Sequence, residues 1–243
     1  MDLHVPRLKG RVALIAGGTE GVGQRIVRAF LRGGAVAVVP SSSAEQLERL
    51  REALPDFPSE NLVTIFGDSG RIEEAERIRD VLLGRVGRLD AVVASLGRWR
   101  YGQSMTEVPM ETWHCTAHDS LITQCVLIRA FLPLMVAQGY GSYTVITRTT
   151  AEAAVTQMGP IAIAGVSQDM LVRVLLEESA GTQVRINEVI VCPETRARGG
   201  AGDPSEGPVG DCVGMFTAWL ASEEAAPVRG ATIRLVERQS VHS

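Results

Sequence analysis

The sequence predicts an α/β domain built on a doubly wound parallel sheet, and three observations lead to this prediction. Short apolar segments alternate with amphipathic ones along the whole chain, which is the pattern of repeated strand–helix–strand units. The apolar segments are runs of Val, Ile, Leu and Ala without polar alternation, as expected of parallel strands buried on both faces. A glycine-rich turn also joins the first apolar segment to a helical pattern, as in Rossmann-type domains.

The first predicted strand covers residues 12–16 and enters the turn that contains Gly17, Gly21 and Gly23. A helix follows over residues 24–32, where apolar residues recur at helical spacing. A pyrophosphate at this turn would meet unpaired backbone N–H groups and the positive end of the helix dipole. The glycine spacing differs from Gly-x-Gly-x-x-Gly, so the surrounding chain must decide whether the turn binds a dinucleotide.

The later elements follow from the same two signals, apolar runs for strands and helical periodicity for helices. The further predicted strands cover residues 35–39, 62–66, 90–94, 143–147, 184–191 and 231–236, and the further helices cover residues 44–54, 71–86, 109–137, 159–179 and 209–221. Residues 193–210 are rich in glycine and proline and are predicted to form a mobile loop. This loop is either a lid over the ligand site or a disordered segment.

Composition excludes several classes of function. No charge run or proline-rich linker divides the 243 residues, so a single domain over residues 1–243 is expected. The net charge of −4 argues against nucleic acid or an anionic membrane as a partner. No uninterrupted apolar run approaches the roughly 18 residues of a membrane span, and we expect a cytoplasmic protein. The four cysteines form no C-x-x-C pair, and the only lysine is Lys9.

Several segments resemble the short-chain dehydrogenase/reductase family, and together they run nearly end to end. The matching segments are Leu8 to Gly17, Arg88 to Val93, Leu132 to Met135, Val184 to Asn187 and Phe216 to Ala225, with Gly17, Gly21 and Gly23 on the three family glycines. The resemblance implies a single Rossmann-type domain that binds NAD or NADP. The predicted helices at residues 109–137 and 159–179 are apolar on more than one face, so we expect them to pair with another subunit of the family in a dimer or tetramer, homomeric or mixed.

The catalytic residues that the resemblance implies are absent. The family reduces carbonyls with a tyrosine acid, a neighbouring lysine, a serine that holds the substrate oxygen and an asparagine that carries a water relay. The corresponding positions here are Ile161, Gly165, Arg148 and Ser120. A shift in alignment does not restore the set, because no tyrosine follows Tyr143 and no lysine follows Lys9. The sequence therefore predicts a protein without ordinary ketoreductase chemistry.

The cofactor site that the resemblance implies is retained at its adenine end only. The residues expected to hold a nucleotide are Gly17, Thr19, Gly21, Val22, Gly23, Ser41, Asp68, Ser69, Ser95 and Gly97. Val191 and Cys192 replace the Pro-Gly pair that borders the nicotinamide, so we expect NAD or NADP with a weakened nicotinamide half, or no bound cofactor. Serines after the second strand leave the choice between NAD and NADP open, although Glu20 disfavours a 2′-phosphate.

Three residues are candidates for replacement chemistry. Arg148 either clamps an anionic substrate or pairs with Glu152 or Glu194, and Ser120 and His118 are further polar groups near the expected reaction centre. Thr147 either replaces the missing serine or is a strand residue. The residues His114, Cys115, His118 and Asp119 lie close together in a predicted helix, and those four apart share a helical face. Such a pair lacks a third metal ligand at suitable spacing, so no metal site is predicted.

Two classes of function follow from this pattern. The first is a non-catalytic subunit or partner that supports an active relative of the family. The second is an enzyme that uses the scaffold for a cyclisation, dehydration or isomerisation, or for an atypical NAD(P)-dependent redox step. A silent subunit keeps its interfaces and tolerates a decayed pocket, which favours the first class, and the sequence alone leaves open whether the chain is an enzyme.

Overall fold

The computed structural model describes residues 5–97, 103–148, 156–192 and 208–236, which contain one seven-stranded parallel sheet with helices on both faces. The strands are β1 Val12–Ala16, β2 Val36–Ser41, β3 Leu62–Phe66, β4 Ala91–Ala94, β5 Gly141–Arg148, β6 Val184–Cys192 and β7 Thr232–Val236. Their order across the sheet is β3-β2-β1-β4-β5-β6-β7. Every neighbouring pair is parallel. The predicted fold class is confirmed.

The helices follow the predicted order, with bounds that differ by a few residues. They are α1 Gly21–Arg32, α2 Ala44–Glu52, α3 Ile72–Val86, α4 Met110–Ala117, α5 Thr123–Gln138, α6 Gly159–Glu178 and α7 Pro208–Leu220. The predicted helix over residues 109–137 is interrupted by a π-helical turn at His118–Ile122. Residues 208–210 of the predicted loop form the start of α7, in agreement with the helix predicted from residue 209, and residues 193–207 lie outside the described residues.

Two apolar layers cover the two faces of the sheet. Side chains of α1 and α7 pack on one face, and side chains of α3, α5 and α6 pack on the other. The central strands are buried on both faces, as their uninterrupted apolar sequences predict. This packing fixes the carboxyl ends of β1 to β4 in one row. The strand order reverses between β1 and β4, which is the point where open parallel sheets bind their ligands.

Two helical segments correct the expectation that no part of the chain resembles a membrane span. Met110–Gln138 and Gly159–Glu178 are long and apolar enough to cross a bilayer by length and composition. The sequence contains no uninterrupted apolar run of that length, but scattered polar residues still leave both segments strongly apolar on average. Both segments pack on the sheet in part, and buried core helices of globular domains meet the same criterion.

Candidate functional site

A cavity of about 570 Å³ opens at the carboxyl ends of β1 to β4. All ten residues predicted to hold a nucleotide line this cavity, although they come from four separate loops of the chain. They are Gly17, Thr19, Gly21, Val22, Gly23, Ser41, Asp68, Ser69, Ser95 and Gly97. The parallel topology explains this convergence, because it places the ends of neighbouring strands side by side. Their role as cofactor ligands stays a prediction.

The glycine turn is packed so closely that two of its positions require glycine whether or not the turn binds a ligand. Gly17 has a φ of +76°, and a Cβ atom there would lie 2.0 Å from the carbonyl oxygen of Ser95. A Cβ atom at Gly23 would lie 1.9 Å from the carbonyl oxygen of Gly17. Gly21, the first residue of α1, has a φ of +55°. The evidence that this loop binds an anion is therefore the amino end of α1 and not the presence of the glycines.

A hydrogen-bond network around Gln46 joins the end of β2 to the glycine turn. The Gln46 Oε1 atom accepts from Ser41 at 2.9 Å and from Thr19 at 3.4 Å, and its Nε2 atom donates to Glu20 at 2.9 Å. Ser43 caps α2 by accepting from the Gln46 backbone N–H at 3.2 Å, and the Ser43 N–H donates to Ser41. The network therefore sets the position of polar groups on this wall of the cavity.

The charge of the cavity is negative. Glu20, Asp68 and Asp119 line it, and none of the lining residues that the structure describes is Lys or Arg. Asp68 is oriented by its own turn, since its Oδ1 atom accepts from the Gly70 N–H at 2.8 Å. Glu20 makes a long contact of 3.5 Å with Arg49, which is more than half exposed. An additional phosphate on the adenosine ribose would meet this negative lining.

The π-helical turn brings one predicted catalytic residue into the cavity and another to its border. His118 lines the cavity on the side of Gly70, where its Cε1 atom would lie 2.8 Å from a Cβ atom at that glycine. Ser120 is buried, and its Oγ atom would lie 2.6 Å from a Cβ atom at Gly97. Both residues therefore lie near the predicted nucleotide site, His118 on its Asp68 side and Ser120 beside β4.

The remaining replacement candidates give no described site. The Arg148 backbone ends β5, but its side chain and residues Glu152 and Glu194 lie outside the described residues. Within the described ranges, no group of three His, Cys, Asp or Glu side chains is arranged to hold a metal ion. Ile161 and Gly165 are buried in α6 and bring neither an acidic proton nor a cation to the core.

Sequence analysis missed a buried carboxyl pair on the α6 side of the sheet. Glu188 on β6 is fully buried, accepts from the Thr147 hydroxyl at 2.7 Å and is hydrogen-bonded to the carboxyl group of Asp169 on α6. Thr147 is therefore a buried partner of Glu188 and does not replace the missing serine at an open site. The signal in the sequence was an acid inside the apolar run of β6, where a charge is costly.

The environment of Glu188 raises the pKa of its carboxyl group above the ordinary value for glutamate. Burial raises the pKa of Glu188, the bond from Thr147 opposes this shift, and the nearby Asp169 raises the pKa further. Asp169 forms a 2.9 Å ion pair with Arg173 and is partly exposed, so we assign the raised pKa to the buried Glu188. The layer between β5, β6 and α6 thus contains a carboxyl group that keeps its proton to higher pH than an ordinary glutamate.

This assignment predicts how stability depends on pH. The unfolded chain releases the Glu188 proton in the ordinary range for glutamate, whereas the folded chain retains it to higher pH. The free energy of unfolding should therefore fall as pH rises from the ordinary pKa to the raised one, by about 1.4 kcal/mol per unit of difference. Glu188→Gln should flatten this decline and be the more stable protein at neutral pH. Urea unfolding over a pH series measures both effects.

The exposed Glu177→Gln change on α6 provides the matched control. It makes the same Glu-to-Gln change without touching Glu188 or Asp169, so its pH profile should run parallel to that of the wild type. A Glu188→Gln profile that also runs parallel to the wild type would show that Glu188 is ionised in the folded protein.

Comparison with known proteins places this geometry in context. The family model described as short chain dehydrogenase matches residues 11–197. Cis-2,3-dihydrobiphenyl-2,3-diol dehydrogenase of Paraburkholderia xenovorans (strain LB400) is 29% identical over 135 residues, which cover 54% of this chain and 47% of that enzyme. The chain thus matches about half the length of that relative. Dehydrogenase/reductase SDR family member 4 of Rattus norvegicus is 23% identical, with 93% of this chain and 86% of that protein covered.

Solved structures agree on the fold. A short chain dehydrogenase from Bacillus anthracis superposes with a TM-score of 0.84 at 20% identity, and the match covers 97% of this chain and 99% of that one. A short chain dehydrogenase from Mycobacterium smegmatis superposes with a TM-score of 0.81 at 23% identity. At such identities the structural likeness concerns the fold alone.

Proposed function

Because the chain belongs to the short-chain dehydrogenase family, we propose that it is a nucleotide-binding subunit that has lost the family's reduction chemistry and supports an active relative. The observation that carries this proposal is that α6 lacks the two functional groups of the family's reaction. Ile161 and Gly165, at the positions where the family's acid and its cation would stand, supply neither group. The cavity at β1 to β4 meanwhile keeps the glycine turn and Asp68. A protein that keeps the glycine turn but lacks the acid and the cation would bind the ADP half of a cofactor and transfer no hydride.

The nucleotide expected in this cavity is NAD rather than NADP. Glu20, Asp68 and Asp119 disfavour a third phosphate on electrostatic grounds, and Ser41 with Gln46 offers neutral partners for ribose hydroxyls. The nicotinamide half is expected to bind weakly, since buried Val191 lies where the family has proline at that border. The acidic net charge and cysteines without a close pair agree with a cytoplasmic protein, without nucleic acid or membrane as a partner.

Exposed apolar side chains on α6 support the interface that such a subunit needs. Ile163, Val166, Met170 and Val174 recur at helical spacing on one face, and each is between 44% and 56% exposed. Ile122 and Val136 add exposed apolar side chains at the start and in the last turn of α5. Surplus apolar surface on two adjacent helices is typical of a face that another subunit covers. We propose pairing with a second copy or with a related family chain through this surface.

A paired charge substitution tests this interface. Val166→Glu combined with Met170→Glu should convert a dimer or tetramer into a monomer, because two carboxylates would have to be desolvated in each copy of the interface. Light scattering at micromolar protein measures the mass directly. Glu60→Lys with Glu76→Lys changes two exposed charges outside α5 and α6 and should leave the mass unchanged. A wild-type protein that is monomeric and recovers no partner would contradict the proposal.

The buried Glu188 and its neighbour Asp169 favour one alternative, an enzyme repurposed for a different step. Because the pKa of Glu188 is raised, this carboxyl group keeps its proton to higher pH than an ordinary glutamate and offers a proton source beside β5. Purification from the native host followed by native mass spectrometry distinguishes the two functions. A complex with an intact family member supports the silent subunit, whereas a homomer carrying a small organic ligand supports the repurposed enzyme.

A further inference from the structure

A second and larger cavity, of about 740 Å³, lies at the amino ends of the strands, opposite the nucleotide cavity. Its walls come from the segments that precede β1, β4, β6 and β7 and from the chain that follows α7. The cavity is therefore separated from the nucleotide site by the full length of the strands. Parallel sheets usually bind ligands at their carboxyl ends, so a cavity at the amino ends needs its own explanation.

The charge of this second cavity is opposite to that of the first. Five cationic side chains line it, from Lys9, Arg11, Arg88, Arg185 and Arg229, against two acids, Asp90 and Glu223. This excess of three positive charges occurs in a chain whose net charge is −4. Electrostatic attraction of anions to this edge is therefore expected although the protein as a whole is acidic.

The buried acid of this cavity is already saturated. The two carboxylate oxygens of Asp90 accept from Arg11 at 3.1 Å, from Arg88 at 2.6 and 2.9 Å and from the Val12 N–H at 2.8 Å. The second acid, Glu223, pairs with Arg11 and is 81% exposed. Asp90 and Glu223 thus balance Arg11 and Arg88, and the positive excess resides on Lys9, Arg185 and Arg229.

Backbone carbonyls hold the two unbalanced guanidinium groups in place. Arg185 donates to the carbonyls of Leu220, Ser222 and Ala225 at 2.7 to 3.2 Å. Arg229 donates to the carbonyls of Ser179 and Thr182, both at 2.7 Å. These carbonyls orient the guanidinium groups but carry no net charge. Burial, followed by the charge of Arg11, lowers the pKa of Arg185, as expected where cations outnumber anions.

We propose that this cavity, the amino-edge cavity, binds a small phosphate-bearing anion. Guanidinium groups fixed by carbonyls suit the tetrahedral oxygens of phosphate, and a multiply charged group would match the excess of three cations. The volume exceeds that of inorganic phosphate and leaves room for an organic remainder beside Tyr140, whose hydroxyl accepts from Arg88 at 3.2 Å. The site is independent of the proposed nucleotide function, since the two cavities share no residue.

Titration calorimetry of the full chain with inorganic pyrophosphate tests the proposal. The wild type should bind it, more weakly at higher salt because the attraction is electrostatic. Lys9→Gln and Arg229→Gln should each weaken binding by about tenfold, the loss expected for one charged contact. Because Lys9 is exposed, Lys9→Gln should not affect folding. This variant therefore still tests the proposal if Arg229→Gln lowers stability.

Two control variants locate the bound pyrophosphate. Arg77→Gln removes an exposed arginine that also donates to a carbonyl, that of Phe66, but lies outside the amino-edge cavity, and it should bind like the wild type. Gly21→Val distorts the glycine turn and should also bind like the wild type. Absence of binding by the wild type, equal binding by Lys9→Gln and Arg229→Gln, or loss of binding only in Gly21→Val would each overturn the assignment.

Discussion

The purified protein is expected to reduce simple ketones with NADH or NADPH at rates several orders of magnitude below those of an intact family member. A positioned general acid alone contributes about 10² to 10⁴-fold to such reactions. Here the acid position is the buried Ile161, and the neighbouring position that would carry a cation is Gly165. Spectrophotometric assay of cofactor oxidation over a panel of ketones, beside an intact relative at equal concentration, measures the ratio.

Two substitutions show whether any residual rate is catalysed by this site. Ser120 and His118 are the two candidate catalytic side chains of the π-helical turn, His118 in the nucleotide cavity and Ser120 at its border. Ser120→Ala and His118→Gln should leave a residual background rate unchanged, because a silent subunit has no acid to lose. Robust turnover by the wild type, or a tenfold fall in either variant, would contradict the silent subunit and support the repurposed enzyme.

The second large effect concerns the glycine turn. Gly21→Val should abolish nucleotide binding, since Gly21 begins α1 with a φ of +55° and a branched side chain there is strained. In the wild type, ADP-ribose should bind about as tightly as NAD, because the nicotinamide half adds few contacts. Each neutral hydrogen bond that is missing weakens binding by roughly 0.5 to 1.5 kcal/mol. Titration calorimetry with NAD, NADP and ADP-ribose measures these affinities.

Gly84→Val is the matched control for this experiment. Gly84 lies within α3, and a Cβ atom there would have no neighbour within 4 Å, so the substitution costs only helix propensity and should preserve binding. NAD bound at least tenfold more tightly than ADP-ribose would mean that other residues have rebuilt the nicotinamide half. No binding of any of the three ligands by the wild type would mean that the turn persists for folding alone.

The elements of the sheet could be predicted because their signals are local. An apolar run such as Ala91–Ala94 and the glycine that ends a helix are both visible within a few residues. The π-helical turn at His118–Ile122 was missed, since one extra residue in a helical turn leaves the apolar periodicity almost intact. The cavity at β1 to β4 also follows from local signals, because topology brings each predicted loop to the same edge.

The polar contacts could not be predicted, because their partners are distant in the chain. Gln46 lies in the first turn of α2, and only the fold brings it to Thr19 and Glu20. Glu188 was one acid in an apolar strand until α6 placed Asp169 against it. The amino-edge cavity was not predicted for the same reason, since its cationic side chains belong to segments more than 200 residues apart in sequence, from Lys9 to Arg229.

Lys9 makes this protein a selective target for amine chemistry. It is the only lysine of the chain, it is exposed, and it lines the amino-edge cavity. Once the terminal α-amino group is blocked, a reagent that acylates primary amines finds a single side chain, whereas the described lining of the nucleotide cavity contains no amine. A fluorophore attached to Lys9 would report on one edge of the sheet alone. The same attachment would anchor the protein to a surface in one orientation, with the nucleotide cavity facing solution.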